Sequence, residues 1–469
     1  MQARPTGAAL AMTVAGTIAV LASLAGIDTR ATYGARVTGD EPQYLVTATS
    51  IGEDLSLDVS DEIARRAYLP YHEIDLDPQT MALDPSGRQV SPHDRLLPAL
   101  LAVPMRIGGW AAAKATLAII AGITAALTAW VAIRRLGVSP TAAATAVGAA
   151  FAGIPLAAYG IQVYPEMPAA LAVMIALACL TVPAPSWRAD VGALAAVVAL
   201  PWLAVKYAPV AAVLAAAVLL RHVRFPRRAL VLAGALVVAG VAYLVAHRLW
   251  YGGWTVYATG DHFAETGEFS VVGTKVDLLG RSRRLIGLLV DRDFGIAAWS
   301  PVWFLAPFGL GLLAARRWPG RWVVLAAIAA GWLNATFVAL TMHGYWVPGR
   351  QIVIVLPLAV LGLSMAADRA RIWLVTVGAL GALGALNWVW LAAESSTGRR
   401  TLVFDFASTA AWPYRAIRPI LPDGLQPNDA SVPLLAVFGV AAIVTGTIGW
   451  RVGRNHPGPR GRLPGATMS

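Results

Sequence analysis

Cysteine is almost missing from this sequence. Only Cys179 occurs in 469 residues, inside an apolar run, which excludes an intrachain disulfide. Charge is scarce too: 13% of residues are Asp, Glu, Lys or Arg, against about 25% in soluble domains. Lysine is nearly absent, with only Lys114, Lys206 and Lys275, so the net charge of +11 is carried by arginine. No nucleic-acid-binding motif accompanies that charge, and no internal repeat or appended polar domain is visible. Nucleic acid is therefore not an expected partner. What fills the chain is apolar: 57% of residues are hydrophobic, with mean hydropathy +0.62. Apolar stretches of about 18 or more residues recur along the whole length, as bilayer-crossing helices require. The class is an all-α, polytopic membrane protein in contact with lipid.

Twelve apolar segments are predicted as helices, near 7–27, 111–133, 139–158, 167–182, 190–205, 207–220, 229–250, 295–315, 321–341, 351–368, 372–391 and 433–450. The first, preceded by Arg4, reads as a retained helix, because it outlasts a signal core and no small-x-small cleavage site follows. Pro201 and Pro209 interrupt the stretch 190–220, which reads either as one broken helix or as two short ones. The arginines favour two. With a cytoplasmic N-terminus and twelve helices, Arg134–Arg135, Arg188, Arg221 to Arg228, Arg316–Arg317–Arg321, Arg369–Arg371 and the segment from Arg451 all fall inside. Eleven helices would send the later clusters outward. The extracytoplasmic side receives 28–110, 159–166, a turn near 206, 251–294, 342–350 and 392–432. Long loops in a compact protein are functional or disordered; these carry aromatics, prolines and mixed charges, and are expected to be ordered. The expectation is one transmembrane domain, 1–451, and a disordered basic cytoplasmic tail, 452–469.

Within the first outer loop, residues 39–44 read Gly-Asp-Glu-Pro-Gln-Tyr. Two adjacent carboxylates near a membrane call for a wet or functional place. Structurally, Asp40 could cap a surface helix whose first turn contains Pro42. Other outer stretches add charge: Glu166 in YPEMP, Lys206 in PWLAVKY, Asp291, Arg292 and Asp293 in LLVDRDFG, Arg350 in HGYWVPGR, and His93, Asp94 and Arg95 in SPHDR. Each has a structural reading: Lys206 snorkels, Tyr345 and Trp346 join an aromatic belt, Arg350 flanks a helix. Yet Lys206, Arg292 and Arg350 are cations on the outer side, against the inside bias. The planar fork of arginine suits phosphate oxygens. Carboxylates and cations together at a wet boundary point to chemistry on a phosphorylated lipid. A carboxylate would serve as general base or sugar orienter, and the cations would stabilise a phosphate leaving group.

The stretches GDEPQYL, YPEMPA, PWLAVKY, LLVDRDFG and VPGR, set in a twelve-helix layout, resemble the GT-C integral membrane glycosyltransferases. The likeness is to the bacterial protein mannosyltransferase and aminoarabinose transferase group, which use polyprenyl-phosphate sugars. It covers most of the chain in topology and a few dozen residues in motifs. It implies a GT-C-type helical bundle at the cell membrane. It implies transfer of a hexosyl or pentosyl group from a polyprenyl-phosphate donor to a lipid, glycan or protein acceptor at the extracytoplasmic face. By the same resemblance, Asp40 is the general base, Glu41 its partner and Glu166 a second acidic residue. Lys206, Arg292 and Arg350, with His93 and Tyr345, are candidates for the donor and its lipid phosphate. No His/Asp spacing specifies a metal; some members of the superfamily bind a divalent cation, so the resemblance leaves a cation open as cofactor. The alternative is a transporter or flippase of lipid-linked intermediates. Such proteins carry ionisable residues near the bilayer midplane, whereas here charges gather at the outer boundary. The break at 201–209 is the one transporter-like feature.

Overall fold

In this computed structural model, residues 5–80, 87–260 and 277–455 are described. The described residues contain no β-strand, only isolated bridges such as Thr32 with Ala35. The chain opens with α1 (Pro5–Leu24), followed by α2 (Glu41–Asp54) and the short α3 (Ser60–Ala64) within the first outer loop. The next helix, α4 (Leu96–Leu136), has 41 residues, or ~62 Å at 1.5 Å per residue, twice the thickness of a hydrocarbon core. It is broken at Gly108 and Gly109, and Gly109 has φ +61°, a conformation suited to glycine. The arm before the break carries α2: Arg106 donates to the Gly52 carbonyl at 3.1 Å. The segment after it crosses the bundle against α1, with Gly16 facing Gly122.

Two capping serines open the next helices of the bundle. Ser139 accepts from the Ala142 amide ahead of α5 (Pro140–Phe151), and one turn, α6 (Leu156–Tyr159), follows. After α7 (Glu166–Leu180), Ser186 accepts from the Ala189 amide to start α8 (Trp187–Leu203). Ala204 is extended, Val205–Tyr207 make a 3₁₀ turn, and Pro209 lies in the first turn of α9 (Ala208–Arg221). The interrupted stretch 190–220 is thus two helices forming a hairpin.

The remainder runs through α10 (Pro226–Tyr251), the short α11 (Leu278–Ser282), α12 (Arg284–Val290) and α13 (Ile296–Trp299), then α14 (Ala306–Ala315) and α15 (Arg321–Leu333). A 3₁₀ segment, Arg350–Val355, leads into α16 (Leu356–Ala367). The chain closes with α17 (Arg371–Ser396), α18 (Trp412–Ile417) and α19 (Ser431–Asn455). Helix α19 includes 452–455, so the expected tail is helical there; its remaining residues, 456–469, lie outside the described residues. The helical arm Leu96–Gly108 likewise begins well before the expected start at 111.

All twelve apolar segments are helical. Among the described residues, seven helical segments are long and apolar enough to cross a bilayer. The other five are shorter: α5, α7, α8, α9 and the broken stretch Pro301–Ala315. Small residues let backbones meet without a strong hydrophobic drive in lipid, as at Gly309 with Gly362. Large buried rings fill the rest; Trp388 donates to the Ala22 carbonyl at 2.7 Å.

The arginine clusters converge at one end of the bundle. Arg316 donates to the Leu136 carbonyl at 3.0 Å, Arg221 to that of Cys179 at 2.7 Å, and Gly320 abuts Thr181. The loops carrying Asp40, Glu166, Lys206 and Arg350 converge at the other end.

Candidate active site

Four of the charged residues singled out in the sequence meet in one cluster. Asp40 stands immediately before α2, but its side chain makes no capping hydrogen bond, contrary to the capping reading. Its Oδ2 instead accepts from Arg350 Nη2 at 2.6 Å. The same guanidinium donates through Nε to Glu166 Oε1 at 3.1 Å, and that oxygen also accepts from Lys206 Nζ at 2.7 Å. Arg350 is therefore a bridge between two carboxylates from helices far apart in sequence. Its guanidinium lies 3.8 Å over the Tyr164 ring and 5.1 Å from that of Trp346, an arrangement in which cation–π attraction adds to ion pairing. Glu166 Oε2 is buried without a hydrogen-bond partner.

Local backbone puts each of these groups in place. Gly349, at φ +87°, turns the chain into the 3₁₀ segment that Arg350 begins; a Cβ there would meet Ile296 at 2.8 Å and Pro155 at 2.9 Å. The break between α8 and α9 places Lys206. Asp94, buried, braces this turn by accepting from the Val205 amide at 3.0 Å, with His247 Nε2 3.3 Å from its other oxygen.

The cluster lies on a cavity of about 480 Å³ lined by Asp40, Lys206 and Arg350, with Tyr44, His93 and Trp346 among its other walls. That volume is in the range of small-molecule sites, roughly 300–1,000 Å³. His93 approaches Gln79 Oε1 at 3.3 Å and packs on Tyr44, ring centroids 4.8 Å apart. Burial pushes His93 down, against the pull of Asp40. Burial also pushes Asp40 up, but Arg350, His93 and Lys206 outweigh it and hold the carboxyl at about 2. Asp40 is thus an ionised, strongly paired carboxylate.

Glu41 does not join this cluster. It is 1% exposed, and its oxygens accept from the Val163 amide at 2.7 Å and the Thr38 amide at 3.0 Å. It staples the loop carrying Asp40 to the loop carrying Glu166, which is a positioning role. Burial lifts its carboxyl to about 7, against the pull of Lys114 and the two amides. Lys114 is fully buried and donates to the Arg36 carbonyl at 3.1 Å in this same loop.

Two further candidates are brought to neither the cluster nor the cavity. Arg292 pairs with Asp423 at 2.5 Å and lies 3.6 Å from Asp293, holding the loop before α19. Tyr345 is 60% exposed and packs on Phe404; its neighbour Trp346 faces the cavity instead. Tyr164, Gln79, Asp77 and Asn334 were missed by sequence reading. Tyr164 had a signal in its place beside ProGlu in YPEMP; the others had none. The one acidic group with metal-ligand spacing among the described residues, Glu53, Asp54 and Glu62, lies apart from this cluster.

No family model matches the sequence, and no curated protein does. Solved structures do. ArnT from Cupriavidus metallidurans bound to undecaprenyl phosphate is similar with a TM-score of 0.54 at 15% identity, over 95% of this chain and 78% of that one. The same protein in its apo state gives 0.51 at 15% identity, over 93% and 75%. The chain has the fold of ArnT, and the polytopic helical bundle expected from its sequence is the architecture it adopts.

Proposed function

We propose that this protein is a membrane glycosyltransferase that takes a sugar from a polyprenyl-phosphate donor at the end of the bundle where the long loops meet, on the extracytoplasmic face. The observation that carries the reading is Arg350, held between Asp40 and Glu166 beside Lys206 at the edge of a cavity of about 480 Å³. Its support from outside is an ArnT of the same fold bound to undecaprenyl phosphate.

In this reading the donor phosphate is held by Lys206 and Arg350. An arriving phosphate competes with Asp40 for the guanidinium. Arg350 is the strongest of the influences that hold the Asp40 carboxyl down, so drawing it away lifts Asp40 toward its ordinary range and frees an oxygen to face the acceptor. The acceptor hydroxyl then attacks the anomeric carbon. Its oxygen–carbon bond forms as the carbon–oxygen bond to phosphate breaks. The electron pair leaves on the phosphate, and the hydroxyl proton passes to Asp40. Positioning and phosphate stabilisation carry most of the rate, with proton transfer late. Glu166 keeps both cations aimed at the phosphate, and Glu41 holds the Asp40 loop against the bundle. The acceptor is a hydroxyl of a lipid, glycan or protein, and the transferred group a hexose or pentose.

The test is sugar transfer or donor hydrolysis from a panel of radiolabelled polyprenyl-phosphate sugars by the purified protein in lipid, beside Asp40→Asn. Wild-type turnover is expected, with a loss of about 10²–10⁴-fold in the variant, the usual worth of a general base. Undiminished transfer by Asp40→Asn would remove it as the base. Movement of the lipids across the bilayer without turnover would replace the enzyme by a flippase.

A further inference from the structure

The first outer loop holds a second concentration of charge that the reaction does not use. Helix α2 ends at Glu53 and Asp54, where Leu55 adopts φ 57° and reverses the chain toward α3. Glu62 lies within α3. One carboxylate oxygen from each of Glu53, Asp54 and Glu62 lies within 4.8 Å of the other two.

Acidic side chains often gather on surfaces without consequence, and what separates this group is Glu62. Its side chain is 0% exposed, and neither of its oxygens has a hydrogen-bond partner. Buried carboxylates are ordinarily hydrogen-bonded and paired, because desolvation of an uncompensated charge is severe. The nearest cation is Arg65, whose Nη2 is 3.5 Å from Glu62 but is committed to a short contact with Glu53 Oε2. Arg65 thus answers one of three negative charges. Burial, and next the Asp61 carboxyl beside it, push Glu62 up to about 7, as expected of a carboxylate lacking its counter-charge. Of the three charges these carboxylates carry when ionised, two remain, the complement of one divalent cation.

We propose that Glu53, Asp54 and Glu62 form a calcium-binding site that ties the end of α2 to α3. The donors are all carboxylate oxygens, which select hard cations over zinc or copper. Glu53 and Asp54 are exposed, so water completes the coordination shell. Such an open, irregular set suits calcium, with its six to eight flexible ligands, better than magnesium, which demands near-ideal octahedral geometry. Asp40 stands at the opposite end of α2 from this site, so a bound ion would stiffen the helix from behind the cavity. The inference does not depend on the transferase reading, because its readout is binding.

The experiment is equilibrium dialysis with radioactive calcium on the full chain, stripped with chelator, in nanodiscs of phosphatidylcholine, which adds no anionic lipid of its own. One saturable calcium ion is expected at a Kd of about 0.1–1 mM, the range of open extracellular sites. The double variant Glu53→Gln/Asp54→Asn changes only exposed side chains, so its fold is retained, and it should weaken binding about tenfold or more. Glu62→Gln should do the same, whereas Asp40→Asn should leave calcium affinity unchanged. The proposal is overturned if the wild type shows no saturable calcium in that range or magnesium binds more tightly. It is equally overturned if the double variant binds like wild type, or if Asp40→Asn abolishes binding, which would place the ion at the cavity.

Discussion

The hairpin of α8 and α9 carries a buried acid–cation cluster at each end, and the two are built differently. At its basic end Asp190, 3% exposed, spends both oxygens: Oδ1 faces His222 Nε2 at 3.0 Å, and Oδ2 accepts from Arg228 Nε at 2.6 Å. At the other end Lys206 meets Glu166, Arg350 and Asp40. There Glu166 Oε2 has no partner and the Asp40 side chain stays 29% exposed toward a cavity. The same residue types do two jobs. Where every carboxylate oxygen is used, the pair locks α8 to the turn after α9. Where an oxygen is free and one face opens on a cavity, there is room to exchange a partner.

That contrast can be broken from either side. Asp190→Ala leaves His222 and Arg228 without their acceptor and should cost about 3–5 kcal/mol of stability, the usual penalty for halving a buried pair. Thermal unfolding in lipid reads it, and transfer measured well below the midpoint should be unchanged; a large activity loss with intact stability would erase the distinction. Next in size is Arg350→Lys. It keeps the charge but loses the fork that bridges Asp40 and Glu166. Donor affinity should fall about 10–100-fold, or roughly 1.4–2.8 kcal/mol, with little change in unfolding midpoint.

The smallest effect concerns Glu41 and pH. Its carboxyl is raised from the ordinary 4.5 to about 7 in the fold. Between those values the folded chain holds a proton that the unfolded chain has released, so stability falls as pH rises through the window. Glu41→Gln removes this slope. Its unfolding midpoint should vary less than that of wild type between pH 4.5 and 7, and identical profiles would show that Glu41 is not the titrating group.

Much of this molecule is written in its hydropathy. The twelve apolar runs are legible because each must hide its backbone polar groups in helix, and the arginine turns gather at one end as the inside bias requires. The arm Leu96–Gly108 escaped because Pro98, Pro104 and the Gly108–Gly109 pair punctuate it as a loop would be punctuated, while their local geometry is accommodated by a broken helix. At the site, Asp40, Glu166, Lys206 and Arg350 were readable as charges out of place at helix mouths. Arg292 gave the same signal as Arg350. What separates them is Asp423, a partner 131 positions away along the chain that captures Arg292. Tyr345 and Trp346 differ by one position, and only the backbone turn decides which ring enters the cavity.

The bridging cluster has one more consequence, for which anions the protein would meet productively. Asp40 and Glu166 carry two negative charges, Lys206 and Arg350 two positive ones. Such a set has no net monopole, and its field fades quickly with distance. On the function proposed above, inorganic phosphate in the surrounding solution is not drawn in, and a phosphate salt added to the assay should leave turnover unchanged beyond its ionic-strength effect. A phosphate delivered on a polyprenyl tail is different. It is confined to the membrane plane, where its effective concentration is high, and that local excess lets it compete for the guanidinium. The resting salt bridge would then act as a filter that opens to lipid and stays shut to salt.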